Sequence, residues 1–201
     1  KGSSSNKEFL RVVITTKMLK SAYFNPRGIC SSNINTILNS INDLGVIYVD
    51  EQSFLDSLVT DVDLCKDVQG ITLENFKEAN RILYRSIVPS KKDNATKIRR
   101  NGNLECNDRI NATEARPFVK SYYKTDELKA DKNKEFVKHH LQGQNIENIG
   151  RVEVTIKNNS HAKRRGLQYR TLRDLLNIPQ ERLERAFVSG LNEYIRKLTV
   201  T

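Results

Sequence analysis

Three short segments carry residues whose types and spacing could do chemistry. Residues 59–68 (VTDVDLCKDV) alternate strictly, and a strand turns successive side chains to opposite faces. Asp61, Asp63, Cys65 and Asp67 therefore share one face. Three carboxylates spaced this way repel by about 1 kcal/mol per pair in water. Mg²⁺ or Mn²⁺, which take hard oxygen ligands, would relieve that repulsion, and so would a basic partner. An edge strand with its polar face in water is the plain alternative. In residues 150–157 (GRVEVTIK), Arg151, Glu153, Thr155 and Lys157 share a face, and Val152, Val154 and Ile156 the other. Beside the acidic strand, Glu153 would complete a carboxylate cluster, with Arg151 and Lys157 near for phosphate. In residues 116–124 (RPFVKSYYK), Lys120, Tyr122 and Lys124 align. Cations beside a tyrosine favour phenolate and hold a phosphate against the hydroxyl. A tyrosine packed on a sheet between snorkelling lysines gives the same pattern.

His161 follows the Glu153 strand and could serve as a softer ligand or a general base. Adjacent His139 and His140 face different ways on a helix and make a poor metal pair. Lys163, Arg164 and Arg165 form a run suited to phosphate contacts, as do Arg99 and Arg100 in a basic, Asn-rich loop or mobile hairpin over residues 89–113. The chain has no GxxxxGK[ST], no GxGxxG after a strand, no HExxH and no GxSxG. P-loop hydrolysis, zinc proteolysis and serine hydrolysis lack support.

The elements that must position these residues can be read from periodicity. Strands are expected at 9–16, 46–49, 59–68, 116–124 and 150–157. Helices are expected at 34–44, 51–58, 72–85, 125–141, 172–176 and 181–198, and a basic loop at 158–166. The strands alternate rather than run continuously apolar, which argues against a doubly covered parallel sheet. The expected fold is α+β, a mostly antiparallel central sheet with helices packed on one face. Residues 1–8 read as a flexible leader and 9–166 as the main domain. The helices of 167–201 are expected to pack on that same domain.

The chain has 201 residues and a net charge of +10. Its charge is uneven: residues 1–84 carry a net −1, residues 85–150 a net +5 and residues 151–201 a net +6. A clustered basic excess is the electrostatic mark of a polyanion binder, nucleic acid first. No run of 18 apolar residues occurs, so no membrane span is expected. Cys30, Cys65 and Cys106 are odd in number and widely spaced, which argues against a disulfide framework and for a reducing cytoplasm. Sequons at Asn94, Asn111 and Asn158 read as chance in an Asn-rich chain.

Taken in order, the three segments resemble the motif blocks of rolling-circle replication initiators of plasmids and filamentous phages, within the HUH-like tyrosine endonucleases. Val62-Asp63-Leu64-Cys65-Lys66-Asp67 resembles the first block. Phe118 through Leu128, with Lys120, Tyr122, Lys124 and Glu127, resembles the middle one. Arg151-Val152-Glu153-Val154 resembles the last. The match spans residues 59–157, and Tyr169 through Leu176 is similar to a helix start that follows the third block. The chain departs from the wider superfamily in having no His-hydrophobe-His pair. The resemblance implies a metal-dependent enzyme that nicks one DNA strand at an origin and keeps the 5′ phosphate on a tyrosine. Tyr122 falls on the nucleophile, with Tyr123 its rival. Asp63 and Glu153 fall on the metal ligands, supported by Asp61 or Asp67 and by His161. Lys120 and Lys124 would steady the scissile phosphate. Origin or single-stranded DNA and a host helicase and polymerase would be the partners, in a bacterial cytoplasm. The oligomeric state is left open. The alternatives are a non-catalytic DNA-binding initiator or replisome organiser, a structural virion protein that packs nucleic acid, and an unrelated metal nuclease.

Overall fold

The computed structural model describes residues 10–87, 96–107, 117–157 and 159–195. The expected leader, the three sequons and most of the Asn-rich basic loop lie outside these residues.

The centre is a five-stranded, fully antiparallel sheet. Its strands are β1 (Val62–Gln69), β2 (Lys97–Ile98), β3 (Leu104–Cys106), β4 (Phe118–Tyr123) and β5 (Ile149–Ile156), in the order β1-β5-β4-β3-β2. The three segments singled out by their chemistry are thus the three neighbouring strands β1, β5 and β4. The α+β class and the antiparallel pairing stand.

Strand alternation decides which face is covered. Leu104, Cys106, Val119 and Val154 face helix α8 (Gln180–Asn192) and the end of α3 (Leu73–Ser86) in one buried cluster with Tyr194. Ile156, Val62 and Leu64 continue that layer toward Ala162, Leu167 and Ala186. Helix α8 lies so close that a Cβ on Gly190 would overlap the Val154 side chain. Gly190→Ala is therefore expected to destabilise. Overpacking costs about 1–3 kcal/mol, against about 1 kcal/mol gained from helix propensity. Chemical denaturation of the single variant and of Gly190→Ala/Val154→Ala checks this, because trimming Val154 should recover much of the loss.

Not every helix lies on that face. A 3-10 helix (Thr16–Ala22) brings Tyr23 against α4 (Lys124–Lys129) and α5 (Lys134–His140) through Leu128, Leu141 and Phe136, at one end of the opposite face. Helices α1 (Ile34–Asn42), α2 (Glu51–Leu55) and α7 (Leu172–Leu176) form a separate apolar cluster with Leu19.

Four expectations fail for local reasons. Residues 10–15 are not a strand: they gain no ladder, and Leu10 and Val13 remain exposed. Residues 46–49 are not one either, because the Asn42 side chain takes both the N–H and the C=O of Val49. The helix expected over 125–141 breaks at Ala130, where the backbone is extended, and resumes as α5. The expected basic loop contains a helix, α6 (Asn159–Arg164), whose His161 and Ala162 are buried.

Candidate active site

The face of the sheet away from α8 carries the polar side chains, and the register sets them in rows. One row runs Lys97, Glu105, Lys120, Glu153, Cys65 across all five strands. Its first four members alternate in sign, a pattern that stabilises antiparallel neighbours by about 0.2–1 kcal/mol per pair. The next row is Tyr122, Arg151, Asp67, and on the other side lies Phe118, Thr155, Asp63.

Tyr122 stands where these rows meet. Its hydroxyl donates to Glu153 Oε1 at 2.8 Å and accepts from Lys124 Nζ at 3.4 Å. Lys120 Nζ lies 4.2 Å from the ring centroid. Lys124 is the first residue of α4, so the passage from strand to helix turns its ammonium back toward the strand, where it also pairs with Glu127. Burial, and then the Glu153 charge, push the Tyr122 hydroxyl well above the ordinary phenol range. Burial and the Arg151 charge hold Lys124 below the usual lysine range. The phenol thus keeps its proton unless a base takes it, and a carboxylate oxygen is already in hydrogen-bond contact. This arrangement can move a proton from a hydroxyl to a carboxylate beside two cations.

Arg151 backs the site. Its guanidinium makes a fork to Asp67, with Nε–Oδ1 at 2.5 Å and Nη2–Oδ2 at 2.7 Å, and it sits 5.7 Å from the Tyr23 ring centroid. The Arg151 side chain is 7% exposed and Asp67 22%. Arg151 is thus a buried partner of Asp67 rather than an open phosphate contact. Asp67→Asn should cost about 3 kcal/mol, the lower end for breaking a buried pair, because Asp67 is partly wet. Asp61→Asn, which loses the pair to a 72% exposed Arg11, should cost under about 1 kcal/mol. Urea denaturation of the two variants side by side reads the difference.

The expected site residues separate into those gathered here and those placed elsewhere. Asp63, Lys120, Tyr122, Lys124, Arg151 and Glu153 lie on one face of three adjacent strands or at its edge. Tyr123 points to the other face, its ring against Phe76 and its hydroxyl on Asn148 at 3.0 Å. His161 is wholly buried in α6, with Nδ1 accepting from the Lys157 backbone N–H. It is therefore closed to solvent and engaged by the end of β5. Arg165 is buried and donates to the His161 carbonyl, so of the basic run only Lys163 and Arg164 reach solvent. Arg99 is forked onto Glu105, while Arg100 beside it is exposed. Glu127, which positions Lys124, was legible as part of the second block but not as a site residue. Tyr23 carried no signal at all, since it reaches the site only through the tertiary fold.

For a cation, the donors differ in availability. Among the described residues no three His, Cys, Asp or Glu side chains gather. Asp61 and Asp67 are engaged by arginines, and Thr155 donates to Asp63 Oδ1 at 2.6 Å. Asp63 and Glu153 offer hard oxygen donors on one face of neighbouring strands, the type that Mg²⁺ or Mn²⁺ takes. Cys65 is directly opposite Glu153 and is exposed.

No protein-family model, curated protein or solved structure matches the chain. Among the described residues no helix is long and apolar enough to cross a membrane.

Proposed function

We propose that this chain is a tyrosine DNA endonuclease and strand transferase of the HUH-like rolling-circle type, which opens one strand at the replication origin of a phage or plasmid. One observation carries the reading: the Tyr122 hydroxyl donates to Glu153 and accepts from Lys124 on the polar face formed by the three motif strands. In cleavage, Glu153 accepts the phenolic proton and Tyr122 Oη bonds to the phosphorus. The bond from phosphorus to the 3′ oxygen breaks, and that oxygen takes a proton from water. The product is a 5′-phosphotyrosine and a free 3′ hydroxyl; joining reverses each step. Lys124 and Lys120 offset the negative charge that develops at the phenolic oxygen and on the phosphate. Asp63 and Glu153 would hold a divalent cation, Mg²⁺ or Mn²⁺, which when bound polarises the scissile phosphate. Host helicase and polymerase would act on the opened strand in a bacterial cytoplasm.

A second reading draws on the burial of Tyr122, which is 7% exposed. A non-catalytic DNA-binding initiator could use the same polar face with Tyr122 as a structural residue. One experiment separates the two. The protein is incubated with end-labelled single-stranded origin oligonucleotides and Mn²⁺, then run on a denaturing gel. A shifted, EDTA-sensitive band that carries the 3′ label, beside a free 5′-labelled product, supports the enzyme. Tight binding without cutting supports the second reading, and free products without a shifted band point to a water-using nuclease.

A further inference from the structure

Phe118 is an aromatic residue on the wrong face for a core. Val119, its neighbour, turns into the cluster under α8, so Phe118 turns to the polar face, across from Thr155 and two residues before Lys120. It joins none of the four apolar clusters and stacks on no other ring among the described residues. It is only half buried. Tyr23 and its helices close the face at the Tyr122–Arg151 end, while Asp63 and Cys65 remain exposed beyond. Along β4 the polar face therefore reads Phe118, Lys120, Tyr122: an aromatic ring, a cation, then the hydroxyl. At about 3.3 Å per residue, the ring stands about 13 Å from the tyrosine.

We infer that Phe118 is a base-stacking platform for single-stranded nucleic acid, holding one base of the strand whose phosphates run past Lys120 toward Tyr122. The inference rests on the reading of this face as a DNA surface but not on the nicking reaction. Single strands are bound by this pairing: cations follow the backbone, and a ring takes the face of whichever base arrives. Such a contact tolerates any sequence. It fixes the spacing between the stacked base and the phosphate at Tyr122, because one stacked base sets the register of the next.

The test uses binding alone. A fluorescein-labelled strand of about twelve thymidines is titrated with the full chain in EDTA, followed by anisotropy, beside an all-abasic strand of the same length. With the wild-type protein, the abasic strand should bind about 5- to 150-fold more weakly, the range for loss of a single base–aromatic stack. Phe118→Leu, which keeps most of the side-chain volume, should weaken the thymidine strand by the same factor and close the gap between the two strands. Phe118→Tyr should bind within about twofold of wild type. Equal affinity of the wild-type protein for the two strands would overturn the inference without any variant, and so would equal affinity of a folded Phe118→Leu for the thymidine strand. A gap on a protein that never nicks would leave the platform standing and sink the tyrosine chemistry.

Discussion

Tyr122→Phe should remove the covalent protein–DNA band, by about a thousandfold or more, while Tyr123→Phe keeps it within severalfold of wild type. The phenol oxygen is the atom that bonds to phosphorus, and loss of a nucleophile removes the step itself rather than tuning it. The contrast between two adjacent tyrosines is what makes the result decisive. They lie on opposite faces of one strand: the hydroxyl of Tyr122 meets Glu153 and Lys124, and that of Tyr123 meets Asn148 beside Phe76. Reaching the polar face from position 123 would require a one-residue slip of β4, which would also drive Val119 out of the core. A band that survives in Tyr122→Phe would end the assignment.

Glu153→Gln should slow single-turnover cleavage about 10²- to 10⁴-fold, the span of a lost general base. Glutamine preserves the shape and still accepts a hydrogen bond from Tyr122, but it cannot take the proton. Binding of the same oligonucleotide should therefore stay within about twofold, and that separation assigns the loss to the chemical step, in which Glu153 takes the proton and would help hold the cation. Should cleavage by Glu153→Gln match wild type, the proton goes elsewhere and the hydrogen bond is merely structural. Lys124 adds a signature in pH. Burial and the Arg151 charge depress it, so its proton leaves at a lower pH than that of a free lysine. A reaction that needs the ammonium beside the phenolic oxygen should then decline on the alkaline side earlier than an ordinary lysine would dictate. Lys124→Arg should carry that decline to higher pH.

Much of this arrangement was legible because strands announce their faces. The alternation in 116–124 and 150–157 separated core from polar residues correctly at Val154, Glu153 and Tyr122. Order alone could not say that β1 and β4 flank β5, since pairing is set by tertiary packing rather than by any one segment. Where the reading failed, a side chain had replaced a ladder or a helix had hidden in polar sequence. Residues 46–49 (VIYV) have the residue types of a strand, but the Asn42 side chain takes the backbone groups of Val49. In 158–166 the buried pair His161 and Ala162 is outnumbered by charges, so periodicity shows no apolar stripe. The role of Asp67 was also out of reach, because its partner Arg151 is 84 residues away in the chain.

The acidic strand has a further consequence for how the molecule behaves in a crowd. Among the described residues β1 ends the sheet, so its outer backbone groups form an eight-residue edge that another strand could extend. If two copies met there about a two-fold axis at Cys65, Asp63 of one would face Asp67 of the other across the new ladder. Like charge would meet like at both ends of the contact, and Lys66 with its hydrated ammonium would have to be ordered as well. The carboxylates of β1 thus discourage the sheet from growing from one molecule into the next, whatever else they bind. The part of that protection that comes from charge weakens as salt rises and screens it.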